Sequence, residues 1–286
     1  MKKKWSLLII VMVLMVVIKG FSLSTMIENS ATWIWNPYSL DSKGDEYITF
    51  MQEQGVKKVF VQVDVDVPNE TYRTFFEKAR AAEIAIYALD GGRNWGENRQ
   101  PAVIFMQWVE QFQQETPLLT GIHIDIEPYL LEEWHTDQQQ VIQNYFDVLS
   151  QLEQFTTEQN LAFEVDMPFW FDTVSYENVY GKGLVSEWVI DTADVVTLMA
   201  YRNRAEGGNG IIELVETELA YAQEKGKKVA VGVEALPSDE GSHISFFGMT
   251  KYELKKEADK VTAAYRQNSA FSGIAVHYID PWMNMK

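Results

Sequence analysis

From residue 30 onward, short runs of apolar and β-branched residues alternate with longer stretches in which apolar side chains recur every three or four positions. The runs cover residues 32–36, 58–63, 84–90, 121–127, 162–168, 195–201, 229–234 and 273–279. Their length and composition predict strands. The clearest intervening stretches, 70–82, 101–115, 137–159, 210–225 and 251–267, predict helices. Pro101 suits a first helical turn, and Gly55 and Gly226 suit helix ends. Strand and helix alternating to a count of eight predict a closed parallel (β/α)8 barrel, a TIM barrel, and 286 residues are enough for one such domain. A doubly wound open sheet is the alternative, but Asn36-Pro37-Tyr38 after the first strand is no Gly-rich phosphate loop. Only residues 280–286 follow the eighth strand, so the last helix is expected to be short or absent.

Side-chain parity says which residues face the barrel axis. In the fourth strand Ile122, Ile124 and Ile126 share one face, while His123, Asp125 and Glu127 share the other. The isoleucines suit the helix layer, which leaves the polar three inside. The fifth strand repeats this, with Phe163, Val165 and Met167 outward and Glu164, Asp166 and Pro168 inward. In the seventh strand Val229, Val231 and Val233 go outward, leaving Ala230, Gly232 and Glu234 inside. The sixth strand puts Thr197, Met199 and Tyr201 inside, the eighth Ala275 and His277, and the second Gln62 and Asp64. Carboxyl groups on an inner face are costly unless paired, so part of this set is expected to be structural. Glu127 and Glu234 end their strands, where barrel enzymes hold their catalytic groups.

Ahead of the barrel, Lys2, Lys3 and Lys4 precede an apolar run over residues 7–18, with Ser22 and Ser24 after it. That run falls short of the roughly 20 residues a spanning helix needs. Residues 1–26 therefore read as a signal peptide or an uncleaved anchor, and residues 27–286 as one barrel domain, secreted or held at the outer face of the membrane. The chain has no cysteine, so disulfides are excluded and export rests on the leader alone. There are 24 Lys and Arg against 41 Asp and Glu, and four of the lysines, Lys2, Lys3, Lys4 and Lys19, fall in the leader. A surface this acidic repels nucleic acid and anionic membranes at long range, so membrane contact is expected only through the leader. The 9 Trp and 13 Tyr fit a carbohydrate partner, since planar rings stack on sugars, although many must be core.

Three strand ends share a resemblance. Thr120-Gly121-Ile122-His123-Ile124-Asp125-Ile126-Glu127 resembles the D-G-x-D-x-D-x-E motif of glycoside hydrolase family 18, the chitinase-like enzymes, with Thr120 and His123 departing from it. Leu198-Met199-Ala200-Tyr201 resembles that family's M-x-Y-D, with Arg202 in place of the Asp. Leu89-Asp90-Gly91-Gly92, followed by Trp95, is similar to its third-strand Gly-Gly segment. The resemblance, that of a distant relative, implies chemistry at an anomeric carbon. It gives Glu127 the role of proton donor to the leaving oxygen. Asp125 would orient the substrate's own acetamido group as nucleophile, and Tyr201 would support it. Carboxyl groups at i and i+2 share a face, and their repulsion raises one pKa. His123 is expected to hold Asp125 ionised and so to weaken that tuning.

A second mechanism stays open. Glu127 precedes Pro128 as the acid does in many retaining barrel glycosidases, and Glu234 ends the strand where their nucleophile sits. Carboxyls about 5–5.5 Å apart would give double displacement, and about 6.5–9.5 Å inversion. Catalytic candidates are thus Glu127, Asp125 and Glu234, and candidate substrate contacts are Tyr201, His123, Asp166, Trp35, Trp95, His277 and Arg202. Trp33, Trp170 and Trp282 also lie near strand ends. The four histidines, His123, His135, His243 and His277, form no metal-binding pair, so neither a metal nor a cofactor is expected. The reading is an exported glycoside hydrolase, and its rival is a non-catalytic carbohydrate-binding barrel. Gly207-Gly208-Asn209-Gly210 reads equally as a loop over the cleft or as a helix entry.

Overall fold

The computed structural model describes residues 24–286, so the leader expected over residues 1–26 lies almost wholly outside the described residues. In chain order, β1 (Ser30–Ile34) leads to α1 (Leu40–Gln54), β2 (Val56–Gln62) to α2 (Asn69–Ala81) and β3 (Ala85–Asp90) to α3 (Gln100–Glu115). β4 (Gly121–Ile124) is followed by α4 (Glu133–Thr136) and α5 (Gln138–Gln159). After β5 (Ala162–Pro168) an antiparallel hairpin intervenes, β6 (Ser175–Asn178) with β7 (Gly181–Leu184), before α6 (Val185–Thr192). β8 (Val195–Met199) leads to α7 (Ile211–Leu214) and α8 (Glu216–Lys225), β9 (Lys228–Glu234) to α9 (Lys251–Tyr265), and β10 (Phe271–His277) to α10 (Ile279–Asn284).

Eight of these strands close a parallel barrel in the order β1-β10-β9-β8-β5-β4-β3-β2. The sixth, seventh and eighth barrel strands are therefore β8, β9 and β10, displaced in numbering by the hairpin. Helix ends follow local chemistry. Gly55 and Gly226 cap α1 and α8 in the left-handed conformation, at φ 77° and 70°. Thr250 and Glu253 exchange hydrogen bonds in a capping box at the start of α9. The helix expected over 210–225 is broken at Val215 into α7 and α8. The last helix, α10, has six residues.

Parity holds around the ring. Val59, Val61, Ile122, Ile124, Phe163, Val165, Val231 and Val233 are buried in the layer between strands and helices. Inside, one side of the barrel is filled by Ala31, Trp33, Phe60, Tyr87, Leu89 and Ala275. The opposite side, on β4, β5 and β8, is polar: His123, Glu164, Asp166 and Thr197 are all buried there. The barrel core is thus half apolar and half charged, and the charged half lies under the end of β4.

One close approach fixes how β3 and β4 leave the barrel. The backbone of Gly91 passes so near β4 that a methyl group there would sit 1.9 Å from the carbonyl oxygen of Asp125. Any larger residue must push the Asp125 backbone away. Gly91→Ala is expected to lower stability by about 2 kcal/mol, the usual scale of overpacking, read from the denaturation midpoint. Gly208→Ala, whose new methyl would meet nothing nearer than 4.0 Å, should stay within about 0.5 kcal/mol of wild type.

Candidate active site

The strand order continues past Ile124 because the Asp125 N–H donates to the Asp90 carbonyl at 3.1 Å. Glu127 then ends the extended segment, since Pro128 opens a 3-10 turn over Pro128–Leu130. That turn brings Tyr129 back onto the acid, and its hydroxyl donates to Glu127 Oε1. Tyr129 is wedged against Trp134, Trp170 and Phe171. Burial and the Glu127 charge push its hydroxyl well above the usual phenol range, so it remains a donor. Tyr129, two residues past Glu127, is not among the residues that the sequence pattern singles out.

Asp125 lies beneath Glu127, with Oδ1 buried and without a hydrogen-bond partner among the described residues. Burial, and then the charges of Asp166 and Glu127, hold its carboxyl well above the usual range. His123 opposes this and does not win. The expectation that His123 keeps Asp125 ionised is therefore corrected: burial outweighs it, and the imidazole is engaged elsewhere. His123 Nε2 stands 2.9 Å from Asp166 Oδ2, and Nδ1 3.7 Å from Glu164 Oε2. Its ring stacks on Phe60 at 3.6 Å between centroids. Glu164 is joined from the closed end of the barrel by Lys58, whose Nζ lies 2.5 Å from Oε1. Trp33 Nε1 donates to Asp166 Oδ2 at 3.0 Å. Two cations thus match two carboxylates in one buried column, with the hydroxyl of Tyr87 facing Glu164. Burial opposes charge on His123, but Asp166 and Glu164 override it and push the imidazole up to about 9. Burial likewise opposes charge on Glu164, and His123 and Lys58 hold it below the usual range.

Across the barrel mouth, Glu234 ends β9. Its Oε1 accepts from the Leu236 N–H at 2.6 Å. Trp35 Nε1 donates to His277 Nε2 at 2.8 Å, which leaves the ring proton on Nδ1, 2.9 Å from Glu234 Oε2. Tyr201 stacks on His277, with centroids 5.9 Å apart. Burial and then the charges of Asp166 and Glu234 hold its hydroxyl well above the phenol range, so it also stays a donor. Arg202 lies over Phe169 and is fixed by the Tyr201 carbonyl and Asn209 Oδ1. Glu127, Tyr129, Trp170, Tyr201, Arg202 and Glu234 all line one cavity of about 420 Å³ at this end of the barrel. A larger hollow of about 640 Å³ lies on the outer surface beside α1, away from these acids.

No family model matches the chain, and no curated protein matches its sequence. Solved structures do match. A chitinase from Chromobacterium violaceum superposes on 90% of this chain and 97% of its own, with a TM-score of 0.54 at 11% identity. A family 18 chitinase from Cycas revoluta, solved in complex with (GlcNAc)3, covers 88% and 95%, with a TM-score of 0.57 at 12% identity. This chain shares the eight-stranded parallel barrel fold of these chitinases.

On that barrel the expected contacts divide by depth. Tyr201 and Arg202 line the cleft, and Trp35 and His277 border it through Glu234. His123 and Asp166 do not reach the cleft, because pairing buries them at 0% and 3% exposure. Trp95 is corrected as well: it packs on Phe105 in the helix layer, 3% exposed. Trp33 and Trp282 are enclosed too, whereas Trp170 stands in the cleft wall. Residues Gly207 to Gly210 form a helix entry, with Gly210 capping α7 and Asn209 holding Arg202. Among the described residues no group of three or more His, Cys, Asp or Glu is arranged to hold a metal ion.

The buried column makes a signed prediction. The folded value for His123 lies above the ordinary 6.5. The stabilisation it brings is therefore complete below that pH and is lost as pH rises through about 9. Imidazole NMR should show a midpoint near 9. Lys58→Met removes a cation and should raise it, whereas Glu164→Gln removes an anion and should lower it. Shifts of the same sign in both variants would mean general loosening and not charge balance.

Proposed function

We propose that the protein is a glycoside hydrolase acting on a polysaccharide with N-acetylated sugars, and that Glu127 is its general acid. The observation that supports this most is Glu127 at the cleft floor with Oε1 engaged by the Tyr129 hydroxyl. That bond leaves Oε2 to carry the proton toward a glycosidic oxygen in the cavity. As the bond to the leaving oxygen breaks, positive charge grows at the anomeric carbon, and the substrate's acetamido oxygen can attack it from within. Tyr201 lines the same cavity and can hydrogen-bond an acetamido group, with Asp125 next along the inner face below Glu127. Burial, with the charges of Asp166 and Glu127, keeps Asp125 protonated, so it can donate a hydrogen bond to an acetamido oxygen. The positions match those the family 18 resemblance gives to donor, orienting acid and tyrosine. The apolar leader fits work outside the cell, on a wall or matrix glycan.

Double displacement through Glu234 is the second reading, because its carboxylate faces the same cavity and is held by two donors. Two experiments separate these. Glu127→Gln should lower kcat on N-acetylated oligosaccharides by about 10²- to 10⁴-fold, the range general acids contribute. Equal rates in variant and wild type would remove the acid from Glu127. An oligosaccharide lacking acetamido groups should resist cleavage if the substrate supplies its own nucleophile. Covalent capture of Glu234 by a fluorinated glycoside would instead establish the second route.

A further inference from the structure

Both oxygens of Glu234 are tied, and one of the ties runs back through an imidazole to a tryptophan. Oε1 accepts from the Leu236 N–H at 2.6 Å, and Oε2 lies 2.9 Å from His277 Nδ1. The main chain is pinned as well, because the Glu234 carbonyl accepts from the Phe246 N–H and the Ser245 hydroxyl. An indole N–H can only donate, so the 2.8 Å bond from Trp35 Nε1 makes His277 Nε2 an acceptor. The imidazole proton is thereby placed on Nδ1, facing the carboxylate. Trp33 and Tyr278 meet the imidazole edge-on, each 5.3 Å away between centroids, and Tyr201 stacks on it at 5.9 Å. That box leaves the ring little room to turn. The Glu234 side chain keeps 11% exposure, at the cavity it shares with Glu127 and Tyr201.

A carboxylate fixed in this way suits a charge that has to stay in place. To bond an anomeric carbon, Glu234 would have to bring one oxygen forward against the hydrogen bond that holds it. Positive charge nevertheless grows on the sugar as its bond to the leaving oxygen breaks, and the protonated Asp125 offers nothing to offset it. A charge already aimed at a developing one needs no rearrangement during the reaction, which is what makes it effective. Resting on the glycosidase reading above, we propose that Glu234 offsets the positive charge on the sugar as a fixed anion, without bonding to it. His277 and Trp35 are then the positioning residues that keep it aimed.

The test compares two ligands of matched shape on the protein carrying Glu127→Gln, so that neither turnover nor the acid's own charge enters. One is an N-acetylated iminosugar, whose protonated ring nitrogen puts a positive charge beside the anomeric position, and the other is its neutral lactam. The cation should bind about tenfold or more tightly than the lactam. Adding Glu234→Gln should bring that ratio close to one. His277→Leu should lower it, and His277→Asn, whose amide N–H can stand in for the Nδ1–H, should restore most of it. Trp35→Phe should leave the imidazole proton shared between the two ring nitrogens, read by nitrogen NMR; a proton still confined to Nδ1 would remove Trp35 from the account. A purely structural role would weaken both ligands alike, and a ratio unchanged by Glu234→Gln or His277→Leu would overturn the proposal. So would equal binding of the two ligands before those changes, or covalent capture of Glu234 by a fluorinated glycoside. Cleavage of N-acetylated oligosaccharides by the wild-type protein is scored separately. No cleavage, with a ratio that still depends on Glu234, would defeat the glycosidase reading and leave the charge recognition standing.

Discussion

The inside of this barrel holds charges that must cancel one another. His123 sits between Asp166 and Glu164, with Lys58 completing the set from the closed end. A lone carboxylate at that depth would carry a desolvation cost of several kcal/mol, roughly, and would take up a proton instead. Pairing keeps four charges where a purely structural barrel would place aliphatic side chains. They lie under one arc of strands, opposite Trp33, Phe60 and Tyr87 and below the cleft.

The site grows upward from that layer. Asp125 stands one step above His123 and has no cation of its own, so burial leaves it neutral. Gly91 allows the end of β3 to lie against the Asp125 carbonyl. Glu127 follows at the strand exit, where Pro128 turns the chain and returns Tyr129 to the acid. On the far side Trp35, His277 and the Leu236 N–H tie down both oxygens of Glu234. Each carboxyl in the cavity thus has a different environment, and different environments are what let chemically similar groups take different roles.

Much of this was legible in the chain. Alternation of apolar and polar residues along 122–127 and 163–168 gave inner and outer faces, because a parallel barrel strand has only two. The hairpin of β6 and β7, with its Ser, Gly and Lys residues, carries no such alternation and lies within a single connection, so it left no trace. Depth was also out of reach. Parity places His123, Asp166 and Glu127 on one face, but only the pairing of residues distant in sequence, such as Lys58 with Glu164, tells which of them are enclosed. Trp95 departs from the expectation for a related reason: a ring near a strand end can turn to either layer, and this one turns toward Phe105. Tyr129 had a faint signal in its spacing from Glu127, but its role depends on a turn that the sequence did not specify.

The matched pair inside the barrel can be weighed by a double-mutant cycle on His123 and Asp166, using His123→Leu, Asp166→Asn and both together, with unfolding free energy as the readout. His123→Leu alone is expected to cost about 3–5 kcal/mol, since it leaves a buried carboxylate without its cation. The double variant should recover much of that, giving a coupling of about 2 kcal/mol or more. Single losses that simply add, within about 0.5 kcal/mol, would contradict the claim that these charges hold one another in place.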